Sequence, residues 1–114
     1  MKINGVELQD IDIFDAEVSE RYENALKDIQ GIEGKIQDLK VSESIRIQCD
    51  AIFKVFNVLF GEGTDKKVFG NKVNLLVCLK SLEELVVQID SQKAAVEKLA
   101  SKYQANRATR RGKK

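Results

Sequence analysis

Residues 74–103 read NLLVCLKSLEELVVQIDSQKAAVEKLASKY, with neither glycine nor proline in the run. Leu75, Leu79, Leu82, Val86 and Ile89, then Lys93, Val96, Ala100 and Tyr103, recur at alternating spacings of four and three. That is the repeat of a single stripe on an α-helix, with Asn71 or Asn74 as its cap. Such a helix is about 45 Å long at its usual rise, against a diameter of about 34 Å for a compact chain of this size. Its far end therefore projects. Leu76, Val77, Cys78, Leu85 and Val87 make residues 75–89 apolar on several sides, whereas residues 90–103 narrow to one stripe. Burial is expected to fall toward the carboxyl end, and a narrow stripe that leaves a globule needs another helix to cover it. A second copy of the chain is the default partner.

Upstream, Ile45, Cys49, Ile52, Phe53, Phe56, Leu59 and Phe60 line a wide helical face, and Ile47, Ala51, Val55 and Val58 carry apolar character around the cylinder. This predicts a central helix capped by Ser42 or Ser44. Gly61 closes it, Thr64 caps a short helix through Phe69, and Gly70 ends that one. Phe53, Phe56, Phe60 and Phe69 read as core. From Asp15, the residues Val18, Tyr22, Ala25, Ile29, Ile32, Ile36 and Leu39 form another stripe. Gly31 and Gly34 interrupt it, so a bend or a break falls near 31–34.

At the amino end Asn4-Gly5 between Ile3 and Val6 is the dipeptide of a two-residue type I′ hairpin, because both central positions need positive φ. Ile11 and Ile13 alternate with Asp10 and Asp12 as a further half-buried strand would. The expected fold is mainly α: a β-hairpin or short strands within residues 1–14, then a helical bundle with a long C-terminal helix. Residues 1–103 form one domain, and residues 104–114 form a flexible basic tail.

Of 114 residues, none is histidine, proline or tryptophan. The commonest acid–base catalyst and nitrogen metal ligand is thus missing. Cys49 and Cys78 sit inside apolar helical patterns and read as buried reduced thiols. The early acids Asp10, Asp12, Asp15 and Glu17 fail the calcium-loop pattern, since Phe14 and Arg21 stand where ligands are required. Gly61-Glu62-Gly63-Thr64-Asp65-Lys66-Lys67 follows a helix and lacks the order of a phosphate loop. Glu83 and Glu84 are helical neighbours that do not face each other, so they form no acid–base pair. Neither a catalytic residue, a metal ligand nor a cofactor site is expected, and the chain reads as no enzyme. The opening MKINGVELQDIDIF lacks the apolar core of a secretory signal, and no window reaches the run of about 20 apolar residues that a membrane span needs. A cytoplasmic protein is expected.

The ending carries Arg107, Arg110, Arg111, Lys113 and Lys114 with no acid after Glu97. Removing those five cations from the net charge of +1 leaves about −4 for the body. The tail reads either as a solubilising disordered end or as an arm that docks to an acidic protein surface or to nucleic-acid phosphates; the absence of interleaved aromatics argues against base stacking.

The segments MKINGVELQDIDIFDAEVSERYENAL, SESIRIQCDAIFKVFNVLFGEGTDKKVFG, NLLVCLKSLEELV and NRATRRGKK together resemble small prophage-encoded proteins of Gram-positive bacteria. More broadly they look like the tail assembly chaperones of long-tailed phages and phage-derived contractile particles. The sharpest part is the ending Asn106-Arg107-Ala108 with Arg110-Arg111. The resemblance implies a non-enzymatic, mostly helical oligomer in the bacterial host cytoplasm that coats the tape measure protein until tail-tube subunits polymerise around it. It also implies a longer form made by ribosomal frameshifting near the carboxyl end, where Gly112-Lys113-Lys114 could be encoded by a slippery run. The candidate contacts are Val96, Leu99, Tyr103, Arg107, Arg110, Arg111, Lys113 and Lys114. The competing readings are a nucleic-acid-associated phage protein that uses the basic tail, and a structural component retained in the finished tail.

Overall fold

The computed structural model describes the backbone of residues 1–112 and the side chains of residues 1–103. A two-stranded antiparallel hairpin, β1 (Lys2–Ile3) and β2 (Val6–Glu7), precedes four helices. These are α1 (Ala16–Gln30), α2 (Val41–Phe60), α3 (Thr64–Phe69) and α4 (Leu75–Gly112). The expected fold class is the observed one.

Asn4 and Gly5 turn the hairpin at φ 52° and 75°, the paired positive values that the dipeptide predicts. Ile3 pairs with Val6, and Leu8 N–H donates to the Met1 carbonyl at 2.8 Å. The strand expected over 11–13 does not form. Ile11 and Ile13 are buried and Asp10 and Asp12 exposed, as the alternation requires, but this backbone lies in no sheet. Asp12 then folds the chain over, its carboxylate accepting from Phe14 N–H at 3.0 Å. Asp15 caps α1 by accepting from the Glu17 and Val18 amides.

The stripe over 18–39 is broken rather than bent. α1 ends at Gly31, a 3₁₀ turn spans Glu33–Lys35, and the chain reverses so that α2 packs along α1. Gly31 sits at φ −70°, an ordinary right-handed value, and a Cβ there would come no nearer than 3.6 Å to the Lys27 carbonyl. Gly31 is therefore not required by backbone geometry. Gly31→Ala is expected to raise stability by about 0.4–1 kcal/mol by restricting the unfolded chain, read as a higher urea midpoint at unchanged slope.

α2 is the central element, lying against α1, α3 and α4. It begins at Val41 with Lys40 as its capping position and no side-chain cap, so neither Ser42 nor Ser44 serves; Ser44 instead accepts from Gln48. Phe56 is fully buried, its ring 5.4 Å from Phe69 in an edge-on contact and 6.0 Å from Phe60. Phe53 lies 5.0 Å from Phe69, so the four rings form one core cluster. Thr64 does not cap α3 either. Gly63, at φ 92°, holds the capping position, Asn57 on α2 accepts from Asp65 N–H at 2.9 Å, and the Thr64 hydroxyl donates back to the Gly61 carbonyl.

The Cys49 and Cys78 thiols are both buried and influence each other's titration where α2 meets α4. Burial, reinforced by Cys49, pushes the Cys78 thiol up to about 12 from 9.0. The folded state thus disfavours a thiolate that the unfolded state forms readily. Stability is full below the ordinary thiol pKa and falls as pH rises toward the folded value. Urea unfolding is expected to lose roughly 2 kcal/mol between about pH 8 and about pH 10.5, and Cys78→Ala removes that share of the slope.

Candidate functional site

α4 contains 38 residues, about 57 Å of helix at its usual rise. The molecule measures 65 × 32 × 22 Å with a radius of gyration of 18.2 Å, against about 13 Å for a compact chain of this size. Its rod leaves the body. The face of α4 turned inward follows Leu75, Cys78, Leu82, Leu85, Ile89 and Gln92, a strict seven-residue repeat with Leu75, Leu82 and Ile89 at a and Cys78, Leu85 and Gln92 at d. The stripe expected from the sequence has the a positions right but takes 79, 86, 93 and 100 in place of 78, 85, 92 and 99. Leu79 and Lys93 are in fact exposed. The inner face is set by small side chains, Cys78 and Ser81, which let α2 come close; the buried Ser81 hydroxyl is satisfied by the Val77 carbonyl at 2.8 Å.

Three α4 side chains at four-residue spacing hold the amino-terminal segment. Glu84 accepts from Asn4 N–H at 3.4 Å, and Gln88 donates to the Lys2 carbonyl at 2.9 Å. The Gln92 amide donates to the Ile11 carbonyl at 3.0 Å while accepting from Ile13 N–H at 3.3 Å. Gln92 thereby supplies the paired bonds that a neighbouring strand would have given residues 11–13. No periodicity could have revealed this, because the partner is a side chain. Gln92→Ala strands a part-buried amide and carbonyl and is expected to cost about 1–3 kcal/mol, with faster hydrogen exchange at Ile13 as the specific sign.

Past Gln92 the same repeat continues on side chains that are exposed among the described residues. Val96 stands at a, Leu99 at d and Tyr103 at a, and their exposures rise along the rod, 38%, 56% and 64%. The three apolar residues singled out from the sequence thus share one face, and that face is the direct extension of the core-facing one. Lys93, at the edge of the body, lies over the Tyr22 ring at 5.7 Å. Elsewhere on α4, Leu76, Leu79 and Val87 are also exposed.

The helical backbone carries positions 107, 110 and 111 onward to Gly112. The side chains of Arg107, Arg110 and Arg111, and the whole of Lys113 and Lys114, lie outside the described residues, as do the partner contacts expected of them and the flexibility expected of the last two residues. A separate groove of about 190 Å³ lies between α1 and α2, floored by Ala25, Ala51, Val55 and Val58. Its rim carries the Lys54–Asp28 ion pair at 3.7 Å. Among the described residues no three histidine, cysteine or acidic side chains gather as metal ligands would, and no helix is long and apolar enough to cross a membrane.

Fold and surface together define a small helical protein whose last helix carries its core seam out of the body. The chain belongs to the DUF6673 family, a family of unknown function, whose family model matches residues 4–114, from the hairpin turn through the cationic ending. No curated protein and no solved structure matches it.

Proposed function

We propose that this chain is a non-enzymatic phage tail assembly chaperone that self-associates and binds the tape measure protein during tail morphogenesis in the host cytoplasm. The observation that carries the reading is the uncovered continuation of the α4 repeat at Val96, Leu99 and Tyr103. A tape measure protein exposes long amphipathic helices that aggregate when alone, and a projecting heptad stripe is the complementary tool for covering them. The likeness of the sequence segments to tail assembly chaperones supports the tape measure protein as the partner. The cationic residues Arg107, Arg110, Arg111, Lys113 and Lys114 follow the seam in the sequence and would add contacts that salt weakens.

Co-expression tests this directly. The tape measure protein from the same genome should be insoluble alone, soluble with this chain, and recovered in complex with it. A tape measure protein that stays soluble by itself, or that does not co-purify, overturns the reading. The five terminal cations favour nucleic acid as a second reading. Binding to arbitrary duplex DNA that falls steeply with salt, and that vanishes when residues 104–114 are removed, would support it.

A further inference from the structure

We propose that the occupant of the Val96–Leu99–Tyr103 seam is an acidic amphipathic helix of another protein, and not the same seam of a second copy. This rests on the reading that the seam binds a helix, and names the chemistry of that helix. With Val96 and Tyr103 at a and Leu99 at d, the positions that flank the seam are 93, 95, 100, 102 and 107. They hold Lys93, Ala95, Ala100, Lys102 and Arg107. Glu97 is the sole acid among residues 91–114, and it stands at b, away from the seam.

Two copies paired in parallel would set position 102 beside 107 of the other chain, lysine against arginine, and alanine against alanine elsewhere. An antiparallel pair would match flank with like flank, again cation against cation. Neither orientation offers an attractive pair, and like charges across a coiled coil select against that pairing. A helix with glutamates at its own flanking positions meets complementary charge at every cationic site. Ala95 and Ala100 leave room for it to approach closely.

The test uses the full chain and designed probe peptides of about four heptads, with isoleucine at a and leucine at d. One carries glutamate at e and g, a second carries lysine there, and a third keeps the glutamates but has serine at a and d. Fluorescence anisotropy should show the first binding at least about tenfold more tightly than either other peptide. Val96→Gln/Leu99→Gln/Tyr103→Gln should abolish that binding, with circular dichroism showing the fold retained. Sedimentation should give the same oligomeric state for this variant and the parent.

Equal binding of the glutamate and lysine peptides overturns the proposal, as does equal binding of the serine-striped peptide, which would reduce it to charge alone. An oligomer that dissociates on seam substitution overturns it too, by making a second copy the occupant. Peptide selectivity that persists while the tape measure protein fails to co-purify would leave this inference standing and remove the chaperone reading. The reverse result would remove only this inference.

Discussion

Phe56→Ala is expected to cost about 3–5 kcal/mol, the size typical of deleting a fully enclosed phenyl ring. Phe56 has no solvent exposure and contacts Phe60 and Phe69, so it joins the two ends of the turn that places α3 against α2. Small domains have only about 5–15 kcal/mol of stability in all. The variant should therefore show a urea midpoint lowered by a large fraction, at unchanged slope. Phe56→Leu keeps most of the volume and should lose much less. Equal losses for the two would mean that packing of the Phe56 ring is not what holds the turn.

The triple substitution Val96→Gln/Leu99→Gln/Tyr103→Gln is expected to do the opposite: little to stability, much to association. All three side chains are already solvent-facing, glutamine is a good helix former, and surface changes of this kind shift stability by about 0.5 kcal/mol or less each. If a partner helix buries the seam, losing those apolar surfaces removes about 3 kcal/mol or more of burial, over a hundredfold in affinity. Co-purification with the tape measure protein should be lost while the urea midpoint stays near that of the parent. A large fall in the midpoint would show instead that the seam is sealed within the chain's own fold.

Much of this architecture is legible in the sequence because the determinants are local. Asn4-Gly5 can turn a hairpin where few other pairs can, Asp15 and Asn74 cap their helices, and Gly61, Gly63 and Gly70 adopt positive φ at helix boundaries. The features that local sequence does not reveal are decided by contacts distant in sequence. Alternation at 10–13 reports which side chains are buried, and that much is correct; it does not report that the backbone partner is the Gln92 amide. The inner face of α4 departs from the expected stripe at its d positions, most clearly where Cys78 and not Leu79 turns inward. Close approach to α2 rewards the smaller residue. Val96 and Tyr103 occupy a positions in both registers, so the candidate seam is the same in either.

The broken first stripe has a similar cause. Gly31 and Gly34 lower helix propensity, yet Gly31 retains right-handed geometry, so reversal there is driven by packing α1 against α2 as well as by glycine. Ser42, Ser44 and Thr64 have the side chains of caps, but α2 and α3 begin after Lys40 and Gly63, neither of which makes a side-chain cap bond.

Hydrogen exchange along α4, measured with and without the tape measure protein, bears most directly on the central claim. Residues 78–89 should exchange slowly in both states, being packed on the body. Residues 96–103 should exchange quickly in the chain alone and become protected in the complex. Strong protection of residues 96–103 in the chain alone, or none on adding the tape measure protein, would contradict an open seam waiting for that partner.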